Sequence, residues 1–196
     1  MRARFQIHLH VVDLPLDTSQ LNSNNRFAGF AEGNASFQNR ITEGRYRHVA
    51  TSFELSQGRD DPVLFQAYKP IMETIASFLL ANLGVIHLSQ FNRTGKQFFW
   101  RARNSGQAGS QIVVHYFTQF PLFTSKYLHF VGWKKAHMLI MSKAHLNQYG
   151  EEGFNLIKTI KANNNKNRTV FTWHHLKDMY KDQLSNSPPE TFPWLS

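Results

Sequence analysis

The segment from 26 to 37 holds the residues whose types and spacing could do chemistry. Glu32 is an acid and Asn34 is an amide, and side-chain oxygens of these kinds bind hard divalent cations. On a helix, a separation of two residues is a rotation of about 200°, so the two side chains would point away from each other. The rest of the segment is rich in small residues, namely Ala28, Gly29, Ala31 and Gly33. These predict either a helix that another helix can approach closely or a Gly-rich turn before a strand.

Two predicted hairpins would present a second kind of chemistry. Between 36 and 55, and again between 85 and 103, apolar and polar residues alternate as they do in half-buried strands. Arg and Gln suit contacts with phosphates and base edges. The candidate nucleic-acid-binding residues on these hairpins are Gln38, Arg40, Thr42, Arg45, Arg47, His87, Gln97, Arg101 and Arg103. An ordinary solvated sheet face is the alternative.

Lys166 and Arg168 lie in a polar, basic loop near the end of the chain. This loop is either a contact to the nucleic-acid backbone or a plain loop.

Other site chemistries have weaker patterns. The chain has no Cys, and its His pairs lack the His-x-x-Glu-His spacing of zinc enzymes. Satisfied or solvated histidines are therefore the favoured interpretation, and we expect no metal site and no bound cofactor. No nucleophile elbow is present either.

Charge favours a polyanionic partner. The 196 residues carry 22 Lys and Arg against 13 Asp and Glu, a formal net charge of +9. Nucleic acid is the favoured partner, ahead of membrane. No apolar run is long enough to cross a bilayer. A basic surface without a ligand is the alternative.

The elements that would position these residues follow the order β, then αββαββα, then further helices. We predict helices at 25–34, 62–83, 110–122, 126–146 and 153–162, with the second hairpin at 85–91 and 97–103. Residues 1–22 would form an N-terminal extension with a short strand, 23–166 the main domain, and 167–196 a C-terminal helix and Pro-containing tail.

Residues 26–37 resemble the signature helix of the LAGLIDADG homing endonucleases, whose usual pattern is Leu-Ala-Gly-Phe-Ile-Asp-Ala-Asp-Gly-Ser-Phe. Glu32 takes the place of the first acid and Asn34 that of the second. Residues 116–133 resemble the family's Tyr-Phe-x-x-Tyr-Pro-Leu-x-Ser/Thr-x-Lys followed by a helix, and residues 154–165 resemble its Ile-Lys-x-Ser-Met-Asn close, with Asn163 and Asn164 replacing Ser-Met. The similarity covers about residues 23–166.

The resemblance implies an α+β fold, a LAGLIDADG-type αββαββα domain with a saddle-shaped antiparallel sheet and helices on its other face, plus N- and C-terminal extensions. It implies that a partner protein or a second copy packs on the 26–34 helix. In this family the second acid holds the catalytic metal, and here that position is Asn34. Magnesium is expected only if the chain is an endonuclease.

These features together favour a nuclease-inactive LAGLIDADG-derived protein of a mitochondrion or another organelle. Its expected partner is structured RNA rather than DNA, either an intron, as for a maturase, or ribosomal RNA in a ribosome-associated protein. The alternatives are an active or heterodimeric homing endonuclease that cleaves double-stranded DNA with magnesium, and a protein interaction module that retains only the fold.

Overall fold

A computed structural model of the chain describes residues 19–43, 47–59, 68–89, 96–146, 150–164 and 168–177. After a short 3-10 helix, Leu21–Ser23, its elements follow the predicted order. They are α1 (Arg26–Asn34), β1 (Ala35–Thr42), β2 (His48–Arg59), α2 (Lys69–Phe78), β3 (Asn82–Ser89), β4 (Lys96–Asn104), α3 (Gln107–Gln119), α4 (Lys126–Met141) and α5 (Gly150–Ala162).

The four strands form one antiparallel sheet in the order β1-β2-β4-β3. The register pairs Phe37 with Phe53 and Leu55 with Ala102, and these residues are all buried under the helices. Because side chains alternate along a strand, the polar positions between them lie on the opposite side of the sheet. We call that side the open face. The predicted α+β fold with an antiparallel sheet is confirmed.

Aromatic side chains hold α1 against the sheet. Phe27 is almost fully buried, and its ring centroid lies 5.0 Å from that of Tyr116 and 6.3 Å from that of Phe53. On the sheet, Phe37 packs against Phe53 and Trp133 at 5.2 and 5.7 Å. Ring pairs at such distances add to the burial of apolar area. The signature helix is therefore fixed relative to the strand that follows it.

The sequence patterns misplaced some helix ends. The helix predicted to run to residue 83 ends at Phe78, where Leu80 takes a positive φ of 49° and the chain turns into β3. The helix predicted to reach 146 ends at Met141, and Lys143 likewise has a positive φ. The predicted N-terminal strand and the Pro-containing tail lie outside the described residues.

No helix in the described part of the chain is long and apolar enough to cross a bilayer.

Candidate nucleic-acid interface and the end of the signature helix

The open face gathers the first group of predicted nucleic-acid-binding residues. Arg40 and Thr42 are exposed and Gln38 is half-buried, while Phe37 and Asn39, which alternate with them, are buried on the helix side. The alternation predicted for β1 is therefore present. The β1–β2 register sets Gln38 opposite Ser52 and Arg40 opposite Ala50, so small neighbours flank the longer side chains.

Arg101 and Arg103 of β4 extend the open face toward β3. The register pairs Arg103 with Glu54 and Arg101 with Ser56, which are open-face positions of β2. The Arg101 guanidinium lies 3.9 Å from the Glu54 carboxylate, and both side chains are partly buried. Sequence reasoning missed Glu54 as a site residue, although its place in the alternation of 48–55 was a usable signal. The acid lowers the local positive charge and holds Arg101 in place.

His87 was predicted for the open face. The register pairs its backbone with that of Phe98, in line with Ala102, whereas Arg101 pairs with Gly84. The side chain of His87 lies outside those that the structure describes, so its role in binding stays a prediction. Gln97 pairs with Leu88 and shares the parity of Arg101, so its backbone position is on the open face. Arg45 and Lys166 lie outside the described residues.

Arg47 and Arg168 are directed away from the open face. Arg47 forms an ion pair with Glu151 of α5, and its guanidinium lies 4.7 Å from the centroid of the Phe154 ring. The Glu151 carboxylate raises the pKa of Arg47. Arg168 donates from Nη2 to the carbonyl of Leu128 at 3.3 Å. Arg47 joins the start of β2 to α5, and Arg168 joins the segment after α5 to α4, contacts that alternation in a single segment could not reveal.

The signature helix is anchored at its start by Tyr116. The Tyr116 hydroxyl accepts from the Ala28 amide at 3.0 Å and donates to the Asn24 carbonyl at 2.8 Å. Burial raises the pKa of this phenol. Asn24 also accepts from the Arg26 amide through Oδ1 at 3.0 Å. These bonds satisfy amides that the first turn of a helix leaves without partners.

Glu32 ties α1 to the segment that precedes α4. Its carboxylate accepts from the Phe123 amide, from the Thr124 amide at 3.1 Å and from the Thr124 hydroxyl. Asn34 lies at the end of the helix, and its Nδ2 donates to the Phe30 carbonyl at 3.4 Å. The acid and the amide therefore have separate partners, and the Glu32 carboxylate is used to hold the fold.

Lys126 brings a positive charge to the end of the signature helix. Its ammonium donates to the carbonyls of Ala35 at 2.7 Å and Ala31 at 3.1 Å. Burial lowers the pKa of Lys126, and nearby Glu32 opposes that effect. A cation at a helix C-terminus is favourable because it satisfies the last carbonyls and complements the helix dipole. Sequence reasoning missed this residue, although it ends the quoted Pro-Leu-x-Thr-x-Lys segment.

The small residues of α1 separate into two groups. Ala28 and Ala31 are buried in the core of this domain, so their prediction as part of an interface with another helix was wrong. Gly29 and Gly33, one helical turn apart, are exposed, and a Cβ added to either would meet no atom within 4 Å. The face that another helix could approach is therefore the narrower Gly29–Gly33 stripe.

Among the described residues, no group of three His, Asp or Glu side chains is arranged to hold a metal ion. His137 is buried between α4 and β2, where Thr51 Oγ1 lies 3.0 Å from its Nδ1 and the Trp133 ring stacks on it. Burial lowers the pKa of His137. It is a satisfied histidine of the core.

Two relatives resemble most of this chain. The intron-encoded DNA endonuclease aI3 of Saccharomyces cerevisiae is 30% identical over 183 residues, which is 85% of this chain and 43% of the relative. An uncharacterized cox1 intron-2 37.2 kDa protein of Schizosaccharomyces pombe is 24% identical over 148 residues, which is 75% of this chain and 41% of the relative. The chain thus spans less than half the length of the curated relatives it matches.

Solved structures share the fold at low sequence identity. The meganuclease I-SmaMI, bound to uncleavable DNA, superposes with a TM-score of 0.57 at 20% identity, over 85% of this chain and 53% of its own. The homing endonuclease I-TnaI superposes with a TM-score of 0.55 at 16% identity, over 80% of this chain and 94% of its own. The sequence profile of the LAGLIDADG endonuclease family matches residues 27–137, more than half of the chain. This chain belongs to the LAGLIDADG endonuclease family.

Proposed function

We propose that this chain is a nuclease-inactive LAGLIDADG protein that binds structured RNA in a mitochondrion or another organelle. Its partner would be an intron, in a maturase-like role, or ribosomal RNA. The observation that carries the proposal is the contrast between a helix end without a metal-binding acid and an open face that retains Arg40, Arg101 and Arg103.

The end of the signature helix does not fit a catalytic magnesium ion. Hydrolysis of a phosphodiester by two metals requires charged oxygen ligands. Asn34 offers only a neutral amide, and its Nδ2 donates back to the helix. The Glu32 carboxylate is used by Phe123 and Thr124, and the Lys126 ammonium next to the Ala35 carbonyl would repel a divalent cation. No cleavage step is therefore assigned to this site.

The open face suits a folded polyanion. Its arginines can contact phosphates and base edges, and folded RNA is commonly held through its shape, backbone and unpaired bases. An intron is the proposed source of that RNA because the names of both relatives refer to introns.

A competition experiment tests the preference for RNA. The full chain is mixed with a labelled structured intron RNA, and unlabelled RNA or duplex DNA of the same sequence is added at fixed salt. We expect RNA to compete at a lower concentration than DNA. Equal or stronger competition by the DNA would contradict the proposal. Salt must be fixed because phosphate contacts make nucleic-acid affinity depend steeply on ionic strength.

A DNA endonuclease is the second candidate function. It is favoured by the name of the yeast relative and by the relatives' greater length, which leaves room for a second half that could supply an acid. In that arrangement the Gly29–Gly33 stripe would pack against the other half. Magnesium-dependent cleavage by this chain mixed with such a half, absent when the chain is left out, would establish this function.

A further inference from the structure

A cleft of about 850 Å³ lies at the edge of the sheet, where β1 meets the C-terminal half of α5. Because β1 is an edge strand, the cleft receives residues from both of its faces. Arg40 reaches it from the open face and Asn39 from the helix side, while Lys158, Lys161 and Asn164 line it from α5 and the residues just after it. Its volume is within the range of small-ligand sites.

Two buried amides without partners line this cleft. Asn39 is 8% exposed and Asn164 is 4% exposed. Within the described residues, neither the Nδ2 nor the Oδ1 of either side chain has a hydrogen-bond partner. Buried amides are nearly always hydrogen-bonded, because an unmet donor or acceptor loses its water without compensation. Because these atoms have almost no accessible surface, an occupant of the cleft would satisfy them once the side chains turn toward it.

The Asn164 side chain lies against α4 at a position where that helix carries a glycine. Gly132 of α4 faces it, and a Cβ added there would lie 3.2 Å from the Asn164 Oδ1. The side chain is therefore packed closely against α4, although no hydrogen bond within the described residues fixes its amide. In the segment resembling Ile-Lys-x-Ser-Met-Asn, Asn164 stands where the pattern has Met, so an amide occupies a position that a methionine could fill.

The cations around the cleft suit a phosphate beside these amides. Arg40 and Lys161 are exposed on its two sides, and Lys158 forms an ion pair with Glu43 at 2.9 Å. An amide can donate and accept at once, which matches the edge of a nucleobase, adenine above all. Lys and Arg match the adjoining phosphate.

We propose that this cleft takes a single unpaired nucleotide. The base would meet Asn39 and Asn164, and its phosphate would lie between Arg40 and Lys161. The inference rests on the proposed function, since it assumes that a nucleic acid lies along the open face. It adds that a looped-out nucleotide is bound at the edge of β1, which a continuous duplex would not supply.

The test uses the full chain and two RNA hairpins that differ by one bulged adenosine. We expect the bulged hairpin to bind about tenfold more tightly than the fully paired one, in the range that a well-placed amide–base contact gives. Asn164→Met should remove this preference and leave binding of the paired hairpin unchanged. The matched control is Asn163→Met, because Asn163 is exposed and its Nδ2 donates to the Thr159 carbonyl.

Lys161→Ala is a second variant, chosen because Lys161 is exposed and its replacement should leave the fold intact. It should reduce the preference for the bulged hairpin even if Asn164→Met fails to fold. Equal binding of the two hairpins by the unmodified chain would overturn the inference, as would a preference that survives both variants, and ordered water would then be the occupant. If neither hairpin binds, the proposed function itself fails.

Discussion

The end of the signature helix and the open face of the sheet are adjacent along the chain but differ in charge and in role. At the helix end, Asn34 stands in the place of an acid and Lys126 binds the last carbonyls. On the open face, Arg40, Arg101 and Arg103 remain, with Glu54 as a local acid. Under the proposed function, this difference means that the domain keeps a surface for binding nucleic acid while the end of its signature helix does not support cleavage.

The largest expected effect concerns the open face. Replacing Arg40, Arg101 and Arg103 together by Ala should weaken RNA binding about 100-fold at low salt and reduce the log–log salt slope by roughly 2 to 3. Affinities measured over a series of salt concentrations provide both numbers. The matched control is Lys135, Lys143 and Lys177 to Ala, which removes the same charge from exposed positions of the helical layer. An unchanged salt slope in the first variant would show that the open face does not contact the phosphates of the RNA.

A smaller effect is expected where the helix is anchored. Glu32→Ala removes the acceptor for Phe123 and Thr124. The loss in the free energy of unfolding should be about 1–2 kcal/mol, discounted because the bonds are partly exposed. Denaturant titration measures it. Glu73→Ala, which removes an exposed pair with Lys69, should cost only ~0.3–0.5 kcal/mol. Equal losses in the two variants would show that Glu32 does not hold the helix.

Substitutions in the Gly29–Gly33 stripe test whether another helix packs on α1. Gly29→Ala and Gly33→Ala should each raise the stability of the isolated chain by roughly 0.5–1 kcal/mol, because Ala favours the helix and the added methyl meets no atom. If another helix packs there, the same changes should weaken that association. Thermal melting and sedimentation of the same samples separate the two effects. A loss of stability in the monomer would show that the stripe is already covered.

The smallest effect is a dependence of stability on pH. Burial lowers the pKa of His137, and also of His129 with help from Arg168 and Lys126. The unfolded chain, with a His pKa of about 6.5, then binds more protons than the folded chain. Stability should therefore be complete above that pH and fall as the pH drops below it. Changing both His129 and His137 to Gln should make stability depend less steeply on pH in this range. An unchanged pH dependence would show that other groups cause the loss of stability.

The sequence was informative where the determining interactions are local. Alternation correctly placed Gln38, Arg40 and Arg101, because strand geometry alone decides which face a side chain occupies. It could not give the backbone register that pairs His87 with Phe98, because register depends on how the two strands of a hairpin pair. The roles of Arg47, Arg168 and Lys126 depend on partners that are distant in sequence, and no local pattern reports those.

The division of α1 shows the same limit. The segment 26–34 was recognisable as a helix from its resemblance to a family pattern. Which of its small residues face outward was decided by the position of Phe27 in the core, which buries Ala28 and Ala31 beside it. The spacing of the small residues alone could not make that distinction.

The most direct test is a cleavage assay with the full chain, magnesium and duplex DNA that spans the intronless insertion site. The account predicts that the DNA stays intact under conditions in which the chain still binds RNA, and that only Asn34→Asp could gain cleavage. Double-strand scission by the unmodified chain, lost on changing Asn34 to Ala, would contradict the central claim that the helix end no longer supports phosphodiester chemistry.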